Sequence, residues 1–171
     1  AIGANSAHEI THGFDQMGSQ FDGEGKLRNW WADEDRRAFD ALGARLVAQF
    51  DGYEALPGKR VNGKLTLTEN MADLAGVQVA YRAYVRSLGG KEAPVIDGRT
   101  GTQRFFLAVA QFRRVKMRDE AMLQMLTSDP HAPHAYRANG PAINTDGFHE
   151  AFGTKPGDAM YKPANERIRV W

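Results

Sequence analysis

The spacing of apolar residues along the chain predicts a protein built mainly from helices. After Asp33, apolar side chains recur at Phe39, Leu42, Leu46 and Phe50. Residues three or four positions apart lie on one face of an α-helix, so this segment is predicted to be an amphipathic helix. No segment alternates apolar and polar residues over the length of a half-buried strand. We therefore predict a mainly α fold.

Glycine and proline residues mark where the helices end. We predict helices over residues 2–17, 33–50, 66–87, 102–116, 119–126 and 146–152. The segments between them are predicted to be loops, and they comprise residues 18–31, 51–65, 91–101 and 129–139.

Composition places the chain among ordinary globular proteins. Its 171 residues suit a single domain over residues 1–171, and its net charge is +1. That charge gives no electrostatic reason to expect a nucleic acid as partner. The chain has no cysteine, which excludes disulfides and cysteine-ligated metals. It also shows neither an apolar run long enough to span a bilayer nor a signal peptide.

The strongest chemical motif is the H-E-x-x-H pattern that begins at His8 and ends at His12. Residues four apart share one helix face, so both imidazoles can reach one metal ion. Glu9 can then act on a metal-bound water without occupying a coordination position. The alternative is a surface helix with two solvated histidines.

A third protein ligand is expected because catalytic zinc usually takes three protein ligands and a water. Glu69 is the best candidate, and Asp73, one helical turn later, could hydrogen-bond the far nitrogen of a ligating histidine. Glu69 has a competing interpretation, because Thr66 to Glu69 also matches a capping box. With H-E-x-x-H present and one ligand missing, we favour the ligand.

Three ordered blocks resemble the neprilysin-like (M13) zinc peptidases, in particular bacterial members. The first follows His12 and contains Phe14-Asp15, Gly18, Asp22, Gly25, Leu27 and Trp30-Trp31. The second is Leu67-Thr68-Glu69-Asn70 with Ala72-Asp73 and Gly76. The third is Ser128-Asp129-Pro130-His131-Ala132-Pro133, followed by Tyr136-Arg137-Ala138-Asn139-Gly140-Pro141. Together they are far more specific than H-E-x-x-H alone.

The resemblance implies a gluzincin-type helical zinc-binding subdomain and a zinc-dependent endopeptidase. Its zinc ion would be bound by His8, His12 and Glu69, with Glu9 as the general base. Other implied roles concern residues around the metal: Asp73 would orient a ligating histidine, His131 would stabilise the oxyanion, Asp129 would hold His131, and Arg137 would bind a substrate carbonyl or carboxylate. Without the resemblance, His131 would be interpreted as an ordinary loop histidine.

Two departures from the family pattern concern residues near the pocket for the residue after the scissile bond. The family usually has aliphatic residues and a glycine just before H-E-x-x-H, where this chain has Asn5, Ser6 and Ala7. Arg113 stands where the family commonly has tryptophan. The apolar preference of that pocket is therefore in doubt for this chain.

The chain resembles only the C-terminal part of such peptidases, which leaves an alternative function open. The alternative is a non-catalytic metal-binding fragment whose substrate cleft is incomplete without an N-terminal lobe. Peptides are the expected partners, and surface that such a lobe would cover favours self-association. Family analogy predicts a periplasmic or secreted location in a bacterium.

A third interpretation assigns the basic residues after the fourth helix to a nucleic-acid face. These residues are Arg113, Arg114, Lys116 and Arg118. The low net charge and the absence of a recognition motif favour a solvated helix face instead.

Overall fold

A computed structural model describes residues 1–170, and helices dominate that range, as predicted. The seven helices are α1 (Ile2–Thr11), α2 (Asp33–Asp51), α3 (Leu67–Ser87), α4 (Gly101–Phe112), α5 (Asp119–Ser128), α6 (His134–Ala142) and α7 (Asp146–Phe152). The remaining elements are a short 3-10 helix (Gly18–Gln20) and an antiparallel pair of strands, β1 (Glu54–Leu56) and β2 (Lys59–Arg60).

Helix α3 lies at the centre of the fold, and every residue from 70 to 78 is buried. Met71 and Leu74 pack with Leu46 and Phe50 of α2 in one hydrophobic cluster. Val77 belongs to a second cluster, formed with residues of α4, α6 and α7. Because α3 contributes to both clusters, the side chains at its N-terminal end are held in fixed positions.

Helix α1 crosses α3 with their backbones almost in contact. A Cβ atom at Gly76 would lie 2.7 Å from the carbonyl oxygen of Ala4 and 2.9 Å from the backbone nitrogen of His8. Only glycine leaves room for this approach. The crossing places His8 directly above the first turns of α3.

Helix α1 ends at Thr11 rather than near residue 17, so the predicted length was wrong. Asp15 turns the chain instead, because its Oδ1 accepts the backbone N–H groups of Met17 (2.8 Å) and Gly18 (2.9 Å). A Cβ at Gly18 would overlap the carbonyl oxygen of His12. Local side-chain hydrogen bonds of this kind compete with helix continuation.

The prediction of a loop over residues 129–139 was also wrong, because α6 begins at His134. Pro133 immediately precedes the helix, where the missing N–H of proline has no cost. The hairpin within the predicted loop 51–65 was missed because strands of three and two residues are too short to show alternation. Gly58, with φ of +69°, makes its turn.

Among residues 1–170, no helix combines the length and the apolar composition that crossing a bilayer requires.

The close contact between α1 and α3 predicts that two glycine-to-alanine substitutions change the free energy of unfolding by different amounts. Gly76→Ala should lower the free energy of unfolding by about 1–3 kcal/mol through overpacking, although alanine has the higher helix propensity. Gly3→Ala is the matched control, because its Cβ would lie an ordinary 3.8 Å from the Cβ of Ala80. Denaturant unfolding of both variants measures the difference, and equal destabilisation would contradict the close backbone approach.

Candidate metal centre

The two histidines of α1 direct one nitrogen each toward the same point. Nε2 of His8 and Nε2 of His12 are 3.2 Å apart, and the two rings are nearly perpendicular. His8 is buried and His12 is partly buried. The four-residue spacing on α1 therefore brings both lone pairs together.

Glu69, on the first turn of α3, faces each of the two histidine nitrogens with one of its carboxylate oxygens. Its Oε2 lies 3.3 Å from Nε2 of His8, and its Oε1 lies 3.6 Å from Nε2 of His12. Two donors about 2.1 Å from one zinc ion at the tetrahedral angle lie about 3.4 Å apart. Oε2 is also buried without a hydrogen bond. A donor set of two nitrogens and one carboxylate therefore fits a zinc ion.

The capping box that competes for Glu69 is not formed. The side chain of the N-cap residue Thr66 accepts no backbone N–H from the first turn of α3. Its hydroxyl donates instead to the carbonyl oxygen of Asn62, at 3.0 Å. Glu69 is therefore free to face the histidines.

A carboxylate stands behind each histidine. Oδ1 of Asp73 lies 2.8 Å from Nδ1 of His8, and Oδ2 of Asp15 lies 2.6 Å from Nδ1 of His12. The negative charge of each carboxylate favours a proton on the Nδ1 that it faces, and Nε2 is then available toward the centre of the site. Sequence reasoning anticipated Asp73 but missed this contact of Asp15. The available signal was an aspartate three residues after His12.

Asp73 also binds two guanidinium groups, although it is 3% exposed. Nε and Nη2 of Arg137 donate to its two oxygens at 2.6 and 3.0 Å. Nη2 of Arg113 donates to Oδ1 at 2.7 Å. The prediction of a solvated face was therefore wrong for Arg113, because α4 ends at Phe112 and the following arginine turns inward.

The charges around the site shift the pKa values of its members. Burial by itself would lower the pKa of His8, but the carboxylates of Asp73 and Glu69 outweigh burial and raise it to about 9. Burial opposes ionisation of Glu69, and the surrounding histidines nevertheless hold its pKa below the usual range. Because a ligating imidazole must be neutral, a metal ion competes with a proton at His8.

His131 reaches the same centre from the segment between α5 and α6. Its Nε2 lies 3.1 Å from Oε2 of Glu69, and its Nδ1 lies 2.8 Å from Oδ1 of Asp129. The same oxygen of Asp129 accepts the backbone N–H of His131 at 2.8 Å. His131 is thus held against the centre while its side chain remains 38% exposed.

Glu9 occupies the open side of the centre. It is exposed, and ligand atoms of His8, Glu9 and His12 all lie within 4.8 Å of one another. The structure thus brings together all eight residues that the sequence singled out: His8, Glu9, His12, Glu69, Asp73, Asp129, His131 and Arg137.

Comparison with known proteins identifies the family. The model of peptidase family M13 matches residues 1–168. The chain belongs to this family. It is 39% identical over 170 residues to a neutral endopeptidase of Lactococcus lactis subsp. lactis (strain IL1403), covering 99% of this chain and 25% of that protein. It is 37% identical over 173 residues to human endothelin-converting enzyme 1, covering 99% and 22%.

Solved structures of family members have the same fold. Mycobacterium tuberculosis zinc metalloprotease ZMP1, crystallised with an inhibitor, superposes with a TM-score of 0.96 and 42% sequence identity, covering all of this chain and 27% of that one. A protein from Lactobacillus rhamnosis HN001 named PEPO gives a TM-score of 0.85 at 40% identity, covering 99% and 25%. The chain therefore spans about a quarter of the length of these relatives.

The contact between Asp15 and His12 predicts the effect of Asp15→Asn. The asparagine oxygen can still accept the two backbone N–H groups, but its amide then faces Nδ1 of His12 and moves the imidazole proton to Nε2. We expect affinity for Zn²⁺ to fall about 10- to 100-fold, measured by competition with a chelator. Asp22→Asn is the control, because Asp22 accepts similar backbone bonds away from the site. Unchanged affinity in Asp15→Asn would contradict the orienting role.

Proposed function

We propose that this chain is the C-terminal, zinc-binding part of a longer endopeptidase that hydrolyses peptide bonds. His8, His12 and Glu69 would bind one zinc ion, and Glu9 would act as the general base. The observation that carries this proposal is the close approach of the donor groups of His8, His12 and Glu69, whose nearest atoms are 3.2, 3.3 and 3.6 Å apart, with Glu9 beside them.

A zinc ion bound there would supply a water whose pKa is lowered to about 7, and would polarise the substrate carbonyl. Glu9 would serve as the base that takes a proton from the attacking water, and its carboxyl group would return that proton to the leaving nitrogen. Its exposed position suits this role, because the substrate must reach it.

His131 and Arg137 are proposed to act on the substrate. The 2.8 Å contact with Asp129 favours a proton on Nδ1 of His131, and a protonated imidazole would stabilise the developing oxyanion. Arg137 uses Nε and Nη2 to hold Asp73. Within residues 1–170, its Nη1 has no hydrogen-bond acceptor, so it remains available for a substrate carbonyl.

The alternative function is a metal-binding fragment without a productive substrate site. The length comparison supports it, since three quarters of each relative lies outside the matched region. Peptide cleavage distinguishes the two functions, because both include zinc binding by this chain. Under the proposed function, a full-length protein containing this chain cleaves peptides. Under the alternative, the chain by itself binds zinc and cleaves none.

Partners and location remain predictions. The names of the relatives refer to peptide hydrolysis or conversion, which supports peptide substrates here. Exposed apolar side chains on α1, such as Ile2 (85%) and Ile10 (70%), support self-association of the isolated chain. A periplasmic or secreted location rests on family analogy.

Glu9→Gln separates catalysis from metal binding. The amide has nearly the same shape as the carboxylate but cannot accept the proton, so kcat/KM of the full-length protein should fall by at least about 10²-fold. Zinc content should stay at one ion per chain. Glu34→Gln, an exposed glutamate in the first turn of α2, is the control. Undiminished peptide cleavage by Glu9→Gln would show that another group is the base.

Glu69→Ala tests the third ligand. Loss of a direct donor should weaken Zn²⁺ binding more than loss of an orienting residue does, by over about 100-fold. Thermal unfolding of the zinc-free protein gives a second reading, because a purely structural role for Glu69 would lower stability and leave zinc affinity unchanged. Glu54→Ala, on the exposed hairpin, controls for charge removal.

A further inference from the structure

A small cavity beside the candidate metal centre is not used by the mechanism above. It lies between the start of α1, the middle of α3 and the end of α4. Small and apolar side chains, including Ala4, Val77 and Val109, form its walls, and Arg113, Arg137 and Asp73 supply its charges. Its volume is about 10 Å³, which is room for about one water molecule.

Two arginines at this cavity share one close carboxylate. Two guanidinium groups share the single carboxylate of Asp73, and the side chains of Arg113, Arg137 and Asp73 are only 15%, 8% and 2% exposed. Glu69 lies farther from Arg137, at 3.5 Å, and is proposed to serve the metal. The two guanidinium groups therefore share one carboxylate at hydrogen-bond distance, in a place that water reaches poorly.

Of the two arginines, Arg113 makes fewer hydrogen bonds to Asp73. Arg137 already holds Asp73 through two nitrogens, which suffices to orient the carboxylate. Arg113 adds one bond to an oxygen that already faces His8. Burial lowers the pKa of Arg113, and Arg137 lowers it further. The carboxylates of Asp73, Glu69 and Glu9 raise it, but the pKa stays below its usual value. A buried arginine with a purely structural role is expected to have a carboxylate partner of its own.

We infer that Arg113, together with Arg137, receives a carboxylate of the peptide substrate, and that this chain therefore selects acidic peptides. One carboxylate oxygen replaces the water for which the cavity has room, and the guanidinium groups donate charge-assisted hydrogen bonds to it. The inference rests on the proposed peptidase function. The carboxylate is either an aspartate or glutamate side chain near the scissile bond or the free C-terminus of a short peptide.

Peptide cleavage by a full-length protein containing this chain tests the inference. One series of peptides places aspartate, asparagine or leucine at each of two positions on either side of the scissile bond, and a second series compares free and amidated C-termini. We expect aspartate at one position, or the free C-terminus, to raise kcat/KM about 10- to 100-fold over its neutral counterpart. A response in the first series identifies a side chain near the scissile bond as the source of the carboxylate, and a response in the second series identifies the free C-terminus.

Variants then assign the preference to Arg113. Arg113→Gln should reduce the preference for the acidic peptide to less than about threefold, and Arg113→Lys should retain part of it because it keeps the charge. Arg114→Gln removes the same charge from the neighbouring exposed residue and should keep the full preference.

Binding without turnover gives an independent reading. In a Glu9→Gln background, the dissociation constant of the acidic peptide should rise about 10-fold or more on adding Arg113→Gln, while that of the neutral peptide should change by less than threefold. A protein that cleaves peptides with no acidic preference, or that retains the preference in Arg113→Gln, overturns this inference alone. A zinc-loaded full-length protein that cleaves no peptide overturns the proposed function, whereas acidic-selective binding in the Glu9→Gln background would still support the role of Arg113.

Discussion

The candidate site depends on the near contact between the backbones of α1 and α3. Gly76 allows the two helices to approach until a side chain at that position would overlap Ala4 and His8. The H-E-x-x-H turn therefore lies directly on the first turns of α3, within reach of Glu69 and Asp73. A separation larger by one methyl group would increase both distances from Glu69 to the histidines, whereas the metal–ligand distances of a zinc site are defined to within about 0.2 Å.

Asp73 connects the metal centre to the rest of the charge network. It is nearly inaccessible, faces Nδ1 of His8 and accepts hydrogen bonds from Arg113 and Arg137. Burial alone would favour its neutral form, but these partners keep its pKa below the usual range. A buried carboxylate with cationic partners is costly to disturb, so its geometry is rigid. That rigidity links the orientation of His8 to the arginines that border the adjacent cavity.

Sequence reasoning succeeded where the chemistry depends on local spacing. Four-residue spacing on a helix brought His8 and His12 together, and the same spacing placed Asp73 one turn after Glu69. It failed where a side chain forms a turn or reaches across the fold. Asp15 ends α1 and supports His12, and Arg113 turns inward after α4; neither contact follows from helical periodicity. The start of α6 was missed because prolines usually interrupt helices, although Pro133 is well tolerated just before one.

The sequence by itself determined the helical class, the identity of the chemical groups and the family to which they belong, because motifs and periodicities are local properties of the chain. Tertiary structure decided that Glu69 faces His8 and His12 and does not form the capping box, because the position of α1 brings the two histidines to that side chain. It also decided the environment of Arg113, which depends on packing between three helices. Such contacts join residues as far apart as 40 and 64 positions, and no short-range pattern encodes them.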